Sequence, residues 1–583
     1  DGLDDVYEGF HTWPLAYLLG ADERLLTWGR EGLEATTRQF ASVPTGRGHP
    51  VVVNEYEQSY DWFHQGEGYQ LFYHLCAAQP DDKILQNRAQ KYSGFLRNEG
   101  VPASNFHFGL GQFLSPHIGS TGAGMANFPL LRDVFLGTIK HFGLPFQKFP
   151  GLSDPIAYFS IPAHREEFGS LAIKRLSQGD VPANLASTSM AFNATIMTGD
   201  CRHADWALEY INNWMRRAEA NGGIIPDNVG PSGRVGECLG GDWFGGHYGW
   251  TWPHGWHSLG VAIAVAMQNA FLWTGDQQYP AFLRQHLERL AELAVEVDGT
   301  LHLPHKHGHP GWYGYDTNIP MLSQVLKNPD GQILQREGWF EFYPLNPVLP
   351  TALWEMTRDP YDEDLLVRLR NHRPGSWHTE AWKAVRPAPS KALGGHEAAW
   401  VAYLRGEFPD YPERILEHNL NQMNERLAFI ETDTQPRETY GDAYLQRRNP
   451  ISLEGIFQLT TGAALPLYNG GLPQTLLRHF DEDNQRSGLP PDTAVLVETV
   501  EKNAVCVRIV NLHTVQTRRL IIQAGIHGEH EFTSCKIDGR PISADLPASH
   551  LRLELAPRSN SALQIGIRRH RHRPKHFADA IRF

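Results

Sequence analysis

Leu19-Gly20-Ala21-Asp22, Gln79-Pro80-Asp81-Asp82, Thr198-Gly199-Asp200, Thr274-Gly275-Asp276 and Thr357-Arg358-Asp359 repeat one local pattern. An apolar run stops, a Gly, Pro, Arg or Ala beside an Asp breaks it, and a second amphipathic run begins. A looser sixth instance is Arg405-Gly406-Glu407, followed by Phe408-Pro409-Asp410. Helix-turn-helix units recurring through most of a chain imply a closed or stacked ring of αα-hairpins. Such rings carry their chemistry on the loops at one end.

The flanks of these breaks support the reading. Gly68 to Leu75 and Ile84 to Leu96, Leu185 to Met197 and Ala204 to Met215, and Ser258 to Trp273 and Tyr279 to Val295 space their apolar residues at three and four positions. The first run of each pair holds more small and apolar residues and the second more charge, which predicts a buried inner helix and an outer helix wet on one face. Composition turns polar over Asp481 to Arg486 and breaks at Gly488-Leu489-Pro490-Pro491. Beyond it lie short alternating runs at Ala494 to Val500, Val505 to Leu512, Arg518 to Gln523, Glu531 to Ile537, Leu551 to Leu555 and Ala562 to Ile567, the pattern of strands with one wet face. The expected organisation is therefore a mainly α ring of hairpins over residues 1–485 and a small antiparallel β-sandwich over 492–583.

At 583 residues the chain exceeds the size at which one core stops growing, consistent with two domains. A formal charge of -13 argues against a general binder of nucleic-acid backbones. Cys76, Cys201, Cys238, Cys506 and Cys535 show no CxxC spacing, so a thiolate zinc cluster is not expected, while Cys506 and Cys535 share the β region and leave pairing open. No apolar run reaches the ~18 residues of a membrane span. The first residue is Asp1, which suits a cleaved leader or a trimmed end, and the expected location is secreted or periplasmic. The basic stretch Arg568 to His576 reads as a solvated tail.

The 29 His and 16 Trp bunch in Gly-rich segments. Gly240 to Ser258, GGDWFGGHYGWTWPHGWHS, sets Asp242, His247, Tyr248, His254 and His257 among Trp243, Trp250, Trp252 and Trp256. Trp faces can lie against sugar rings, His and Tyr can move protons, and the glycines let backbone approach a ligand. A second segment, Asn54 to Leu75, gathers Asp61, His64, Gln65 and Glu67 where an inner helix starts; Asp61 or Glu67 could equally serve as helix caps. His117 lies on the loop Leu114 to Gly124. His302 to Asn318 offers His305, His307, His309, Tyr313, Tyr315 and Asp316, and its alternate histidines read as a polar surface loop more readily than as metal ligands. No dinucleotide, P-loop, HExxH or GxSxG signature is present.

Gln65-Gly66-Glu67-Gly68-Tyr69, following Asp61, resembles the Glu-Gly-x-x-Tyr stretch of toroid polysaccharide lyases of the heparinase and oligoalginate type, with Gln65 where that family often has Glu. The resemblance covers some fifteen residues and implies an (α/α)6-type toroid acting on glycans. On that reading the partner is an acidic poly- or oligosaccharide, with no nucleic acid, membrane span or cofactor, and the reaction is β-elimination at a uronic acid. His247 and Tyr248 are the expected base and acid. Gln65, His254 or His117 would stabilise the sugar carboxylate, Asp242 joins the catalytic set, and Asp61, His64, Glu67, Trp243, Trp252, His257, Tyr313 and Tyr315 contact substrate. Glycoside hydrolysis is the alternative, with Asp61, Glu67 and Asp242 as carboxyl pair and Asp4, Asp5 or Asp316 in reserve. A glycan-binding protein without catalysis is the third.

Overall fold

A computed structural model of the chain describes residues 3–44, 50–58, 60–126, 145, 155–310, 326–345, 347–369, 396–440, 444–445, 448–542 and 545–575. Tyr313, Tyr315 and Asp316 lie outside these residues.

The repeated break has a simple stereochemical basis. At three of the five sites the first helix ends on a left-handed glycine, Gly20, Gly199 or Gly275, and at a fourth on Arg358 in the same conformation. The Asp that follows then accepts the first main-chain amides of the next helix: Asp22 from Arg24, Asp200 from Arg202, Asp276 from Gln278 and Asp359 from Tyr361. At the fifth, Asp82 accepts from both Ile84 and Leu85. A left-handed C-cap and a carboxylate N-cap satisfy orphan groups on both sides of the turn.

Among the described residues six hairpins result: Trp13–Leu19 with Glu23–Phe40, Trp62–Ala78 with Lys83–Leu96, Thr188–Thr198 with Cys201–Ala220, Trp256–Thr274 with Gln278–Glu292, Val348–Thr357 with Pro360–Leu369, and His396–Leu404 with Tyr411–Thr432. The first helix of each hairpin packs on the first helix of the next. Trp62–Ala78 and Trp256–Thr274 are buried on nearly every side, whereas Cys201–Ala220 buries one stripe. No helix among the described residues is long and apolar enough to cross a membrane.

The expectation of a mainly α toroid with one small C-terminal sandwich is overturned. Among the described residues helix accounts for 44% and strand for 19%, and six separate sheets are spread along the chain. One four-stranded antiparallel sheet lies among the helices, in the order Val295–Val297, Thr300–His307, Trp339–Tyr343, Gln335–Arg336. Its first turn is Asp298-Gly299, both at positive φ (49° and 74°), which suits a tight hairpin. Two of the three histidines expected on a polar loop, His305 and His307, therefore sit on a strand, with His305 only 3% exposed, while His309 lies in the bend beyond it. Three two-stranded sheets pair Val52–Val53 with Tyr56–Glu57, Tyr60–Asp61 with His117–Ile118, and Phe106–His107 with Gln112–Phe113.

Two further sheets follow. One has the order Arg486–Ser487, Leu477–Asp481, Arg518–Ala524, His550–Leu555, and so takes strands from both sides of the Gly-Pro-Pro break. The other runs Thr493–Val500, Ala504–Asn511, Asn560–Arg568, Glu531–Ile537, Arg540–Pro541. Val497, Val507 and Ile565 of one sheet share a core with Leu520, Ile522 and Leu553 of the other. All five cysteines are free thiols.

A column of rings underlies the Gly240 to Ser258 segment. Trp250 stacks on Trp256 at 5.8 Å, and Trp256 on His286 at 6.2 Å. The His286 Nδ1–H donates to the Phe282 carbonyl at 2.9 Å, and Nε2 accepts the Ile225 amide at 3.0 Å. Burial lowers the His286 pKa from 6.5 to about 4. The unfolded chain thus binds a proton between these values that the fold refuses, so the group's stabilisation is complete above pH 6.5 and is lost as pH falls toward 4.

Two outcomes follow from these contacts. Asp200→Ala should lower stability to denaturant by about 1 kcal/mol, while Asp410→Ala, which removes no side-chain cap but only an exposed pair with Arg414, should cost roughly half that or less. The melting-temperature deficit of His286→Gln should be largest above pH 6.5 and shrink as pH falls to about 4.

Candidate functional site

Three separate stretches converge on one end of the buried helix Trp62–Ala78. Asp61 closes the strand Tyr60–Asp61 and caps that helix, accepting the His64 amide at 3.2 Å. Its carboxylate also takes the His64 Nδ1 at 2.9 and 3.0 Å. Across the two-stranded sheet Asp61 is the register partner of His117. The third stretch is the loop bearing His247 and Tyr248.

That loop is organised by Asp227, which is fully buried. Its carboxylate accepts the main-chain amides of Gly245 and Gly246, both at 2.8 Å, and of Trp250 at 2.7 Å, with the Asn228 amide at 3.1 Å. A Cβ on Gly246 would lie 2.2 Å from the Asp227 carbonyl oxygen and one on Gly249 2.2 Å from its carboxylate, so both positions exclude side chains. Trp250 adds a bond from Nε1 to the Ile225 carbonyl at 2.8 Å. Within this wrap Tyr248 is held at φ 52°, a left-handed conformation costing on the order of 1 kcal/mol for a residue with a Cβ.

The result is a cluster of rings and charges. Tyr248 stacks on Phe63 at 4.7 Å, and its hydroxyl lies 3.4 Å from the His64 Nδ1. His254 stacks on the same Phe63 at 5.5 Å, and His257 meets Phe63 edge-on at 6.3 Å. The His117 and His247 rings are 5.3 Å apart, and Trp252 lies 6.2 Å from His247. Tyr248, His247, His117, Asp61 and Trp252 are buried; His64, His254 and His257 are partly exposed and form the accessible face.

Electrostatics separate these groups. Burial opposes ionisation of Asp61, but the charge and hydrogen bond of His64, with His247 and His117, hold its carboxyl far below the usual range. Burial likewise disfavours charge on His64, yet Asp61 outweighs it and, with Asp4 and Glu67, raises it to about 9. Desolvation pushes His247 down to about 4 against the pull of Asp61. Desolvation, then the charges of Asp61, Glu67 and Asp4, drives Tyr248 well above 10. Glu57, buried and facing Asp4, is raised to about 8. The centre thus holds an ion pair beside a neutral imidazole and a protonated phenol.

Other residues expected at the site have different settings. The Gln65 amide donates to the carbonyls of Tyr60 at 2.7 Å and Ile118 at 3.1 Å, bracing the small sheet. Glu67 accepts from the Asn469 amide at 2.6 Å and the Tyr468 hydroxyl at 3.4 Å. Gly66 and Gly68 have steric roles: a Cβ on Gly66 would strike the Asn469 carbonyl at 2.5 Å, and one on Gly68 would crowd Tyr7 at 3.3 Å. Asp242 pairs at 2.7 Å with His309, both side chains about a third exposed. Trp243 packs on His307 at 4.7 Å. The sequence reading omitted Phe63, Glu57 and Asp227; the first two carry no motif, and Asp227 acts only through amides far along the chain.

Asp227→Ala would leave three buried amides without their acceptor, and should cost about 2–4 kcal/mol in denaturant unfolding. Asp227→Asn should cost less, since it retains one acceptor oxygen.

No curated protein matches the chain. The model of the family described as Domain of unknown function (DUF8034) matches residues 1–457, which include every residue of this cluster. The chain therefore belongs to the DUF8034 family.

Proposed function

We propose that this protein is a carbohydrate-active enzyme that cleaves a glycosidic linkage of a uronate-containing poly- or oligosaccharide by β-elimination, with a Tyr/His pair as acid and base. The observation that carries the reading is the run of contacts from Asp61 through His64 to the hydroxyl of Tyr248. Asp61 fixes the His64 ring, and the Nδ1–H directed at Asp61 also faces the phenolic oxygen. A phenol that gives up its proton there develops negative charge beside a fixed donor.

Tyr248 is accordingly the acid. His247, expected as the base, has its ring 4.6 Å from that of Tyr248 on the inner side, beside His117; His254, partly exposed with its ring 5.8 Å from Tyr248, is the imidazole open to substrate and takes the role of base here. His254 takes the proton from the carbon bearing the sugar carboxylate. The electron pair left behind forms a carbon–carbon double bond as the bond to the glycosidic oxygen breaks, and that oxygen receives the Tyr248 proton. His257, beside His254 at 6.0 Å, is placed to meet the substrate.

Hydrolysis is the second reading, favoured by one observation. Asp4, Glu57 and Asp61 act electrostatically on Tyr60, and Asp4, Asp61 and Glu67 on Tyr248, so the centre holds more than the two carboxyls a glycosidase needs.

Incubation with a panel of uronate polysaccharides should raise both reducing ends and the ultraviolet absorbance of the unsaturated product. Tyr248→Phe should lower that rate by about 10²–10⁴-fold with little change in melting temperature. Reducing ends without absorbance would assign hydrolysis instead, and wild-type rates in Tyr248→Phe would remove Tyr248 from the chemistry.

A further inference from the structure

Behind the Tyr248–His64 contact, Asp61 belongs also to a second arrangement, with His117 and His247, two imidazoles that take no part in the proposed elimination. Asp61, His117 and His247 each offer one ligand atom, and these atoms lie within 4.8 Å of one another. They are 3%, 0% and 1% exposed. We infer that these three residues form a binding site for a divalent metal ion of the zinc class.

The donor set suits that class. Two imidazoles and one carboxylate are a three-protein-ligand set that leaves a coordination position for water or a substrate oxygen, whereas calcium and magnesium favour oxygen donors throughout. Bonds of ~2.0–2.2 Å at tetrahedral angles place the ligand atoms roughly 3.3–3.6 Å apart, so atoms within 4.8 Å of one another need to draw together by at most about 1.5 Å, the scale of a side-chain rotation.

The supports are those a metal site requires. Asp61 and His117 face each other across the sheet Tyr60–Asp61 and His117–Ile118, which the Gln65 amide clamps by bonding a carbonyl on each strand. His247 follows Gly246, whose amide is anchored on Asp227, and a turn closes from the Gly249 amide to the Gly246 carbonyl at 3.0 Å. His64 donates to Asp61 from outside the trio, the outer-shell contact that orients a ligating carboxylate. The inference does not depend on which glycan reaction the protein performs.

The test needs no glycan. Full-length protein, stripped with a chelator and dialysed, is titrated with Co(II) and separately with Zn(II). One equivalent per chain should bind, with the visible bands of a low-coordinate Co(II) ion, and Zn(II) should raise the melting temperature. His117→Gln and His247→Gln should each weaken binding by at least about 10-fold, while His107→Gln, at an exposed site, should bind as wild type. A Co(II) spectrum that stays that of the free ion would overturn the site. So would wild-type affinity in the folded double variant His117→Gln/His247→Gln. Should that variant not fold, Asp61→Asn serves in its place: retention of the zinc-induced melting shift counts against the site, and its loss supports it.

Discussion

Protein surrounds the helix Trp62–Ala78 on almost every side, so the polar groups it carries look for partners in the interior. That constraint draws distant parts of the chain to one place. His74 bonds the carbonyl of His11 at 2.7 Å, Gln70 that of Leu467 at 2.6 Å, Gln65 those of Tyr60 and Ile118, and Glu67 the Asn469 amide. An unsatisfied buried amide or carboxylate costs more than its bond contributes, so these contacts act as registration marks as much as stabilisation. The first helical turn, with Asp61, Phe63 and His64, is positioned by them.

The candidate centre then follows from two rigid supports. One is this helix end. The other is the Asp227 carboxylate, which collects the amides on both sides of His247 and Tyr248 and over-determines a loop containing a left-handed tyrosine. Strain at such a residue persists only where the surroundings leave the chain no alternative. The aromatic column Trp250, Trp256 and His286 closes the loop from beneath and joins it to two helices.

The helix hairpins were legible because their signals are local. A left-handed glycine and a carboxylate two residues before an amide can be read without knowing what lies across the molecule. The sheet at Val295–His307 was equally local, with Asp298-Gly299 at its turn, but its histidines drew attention to chemistry instead of alternation. Most of the clustered residues, Asp61, His64, His117, His247, Tyr248, His254 and His257, were visible as residue types in Gly-rich segments. Their division of labour was not. It depends on which of two neighbours in the chain faces outward, and that is decided by Asp227, by the Asp61–His117 register and by Phe63, all fixed through space. The glycines of Gln65 to Tyr69 show the same limit: their spacing was visible, but the backbone and rings they admit come from Asn469 and Tyr7.

The strand Leu477–Asp481 belongs to the C-terminal sheets, yet Arg478 on it reaches back to the carbonyl of Ala77 at the end of the central helix, at 3.1 Å. Arg486 similarly bonds the Ala21 carbonyl at 2.7 Å, and Arg569 the Glu355 carbonyl at 2.6 Å. The family match ends at residue 457, inside the helix Glu454–Thr461. The carbonyls of Ala21, Ala77 and Glu355, all within the matched stretch, thus take their side-chain donors from strands and a tail beyond it, so a chain cut at residue 457 would leave all three to water.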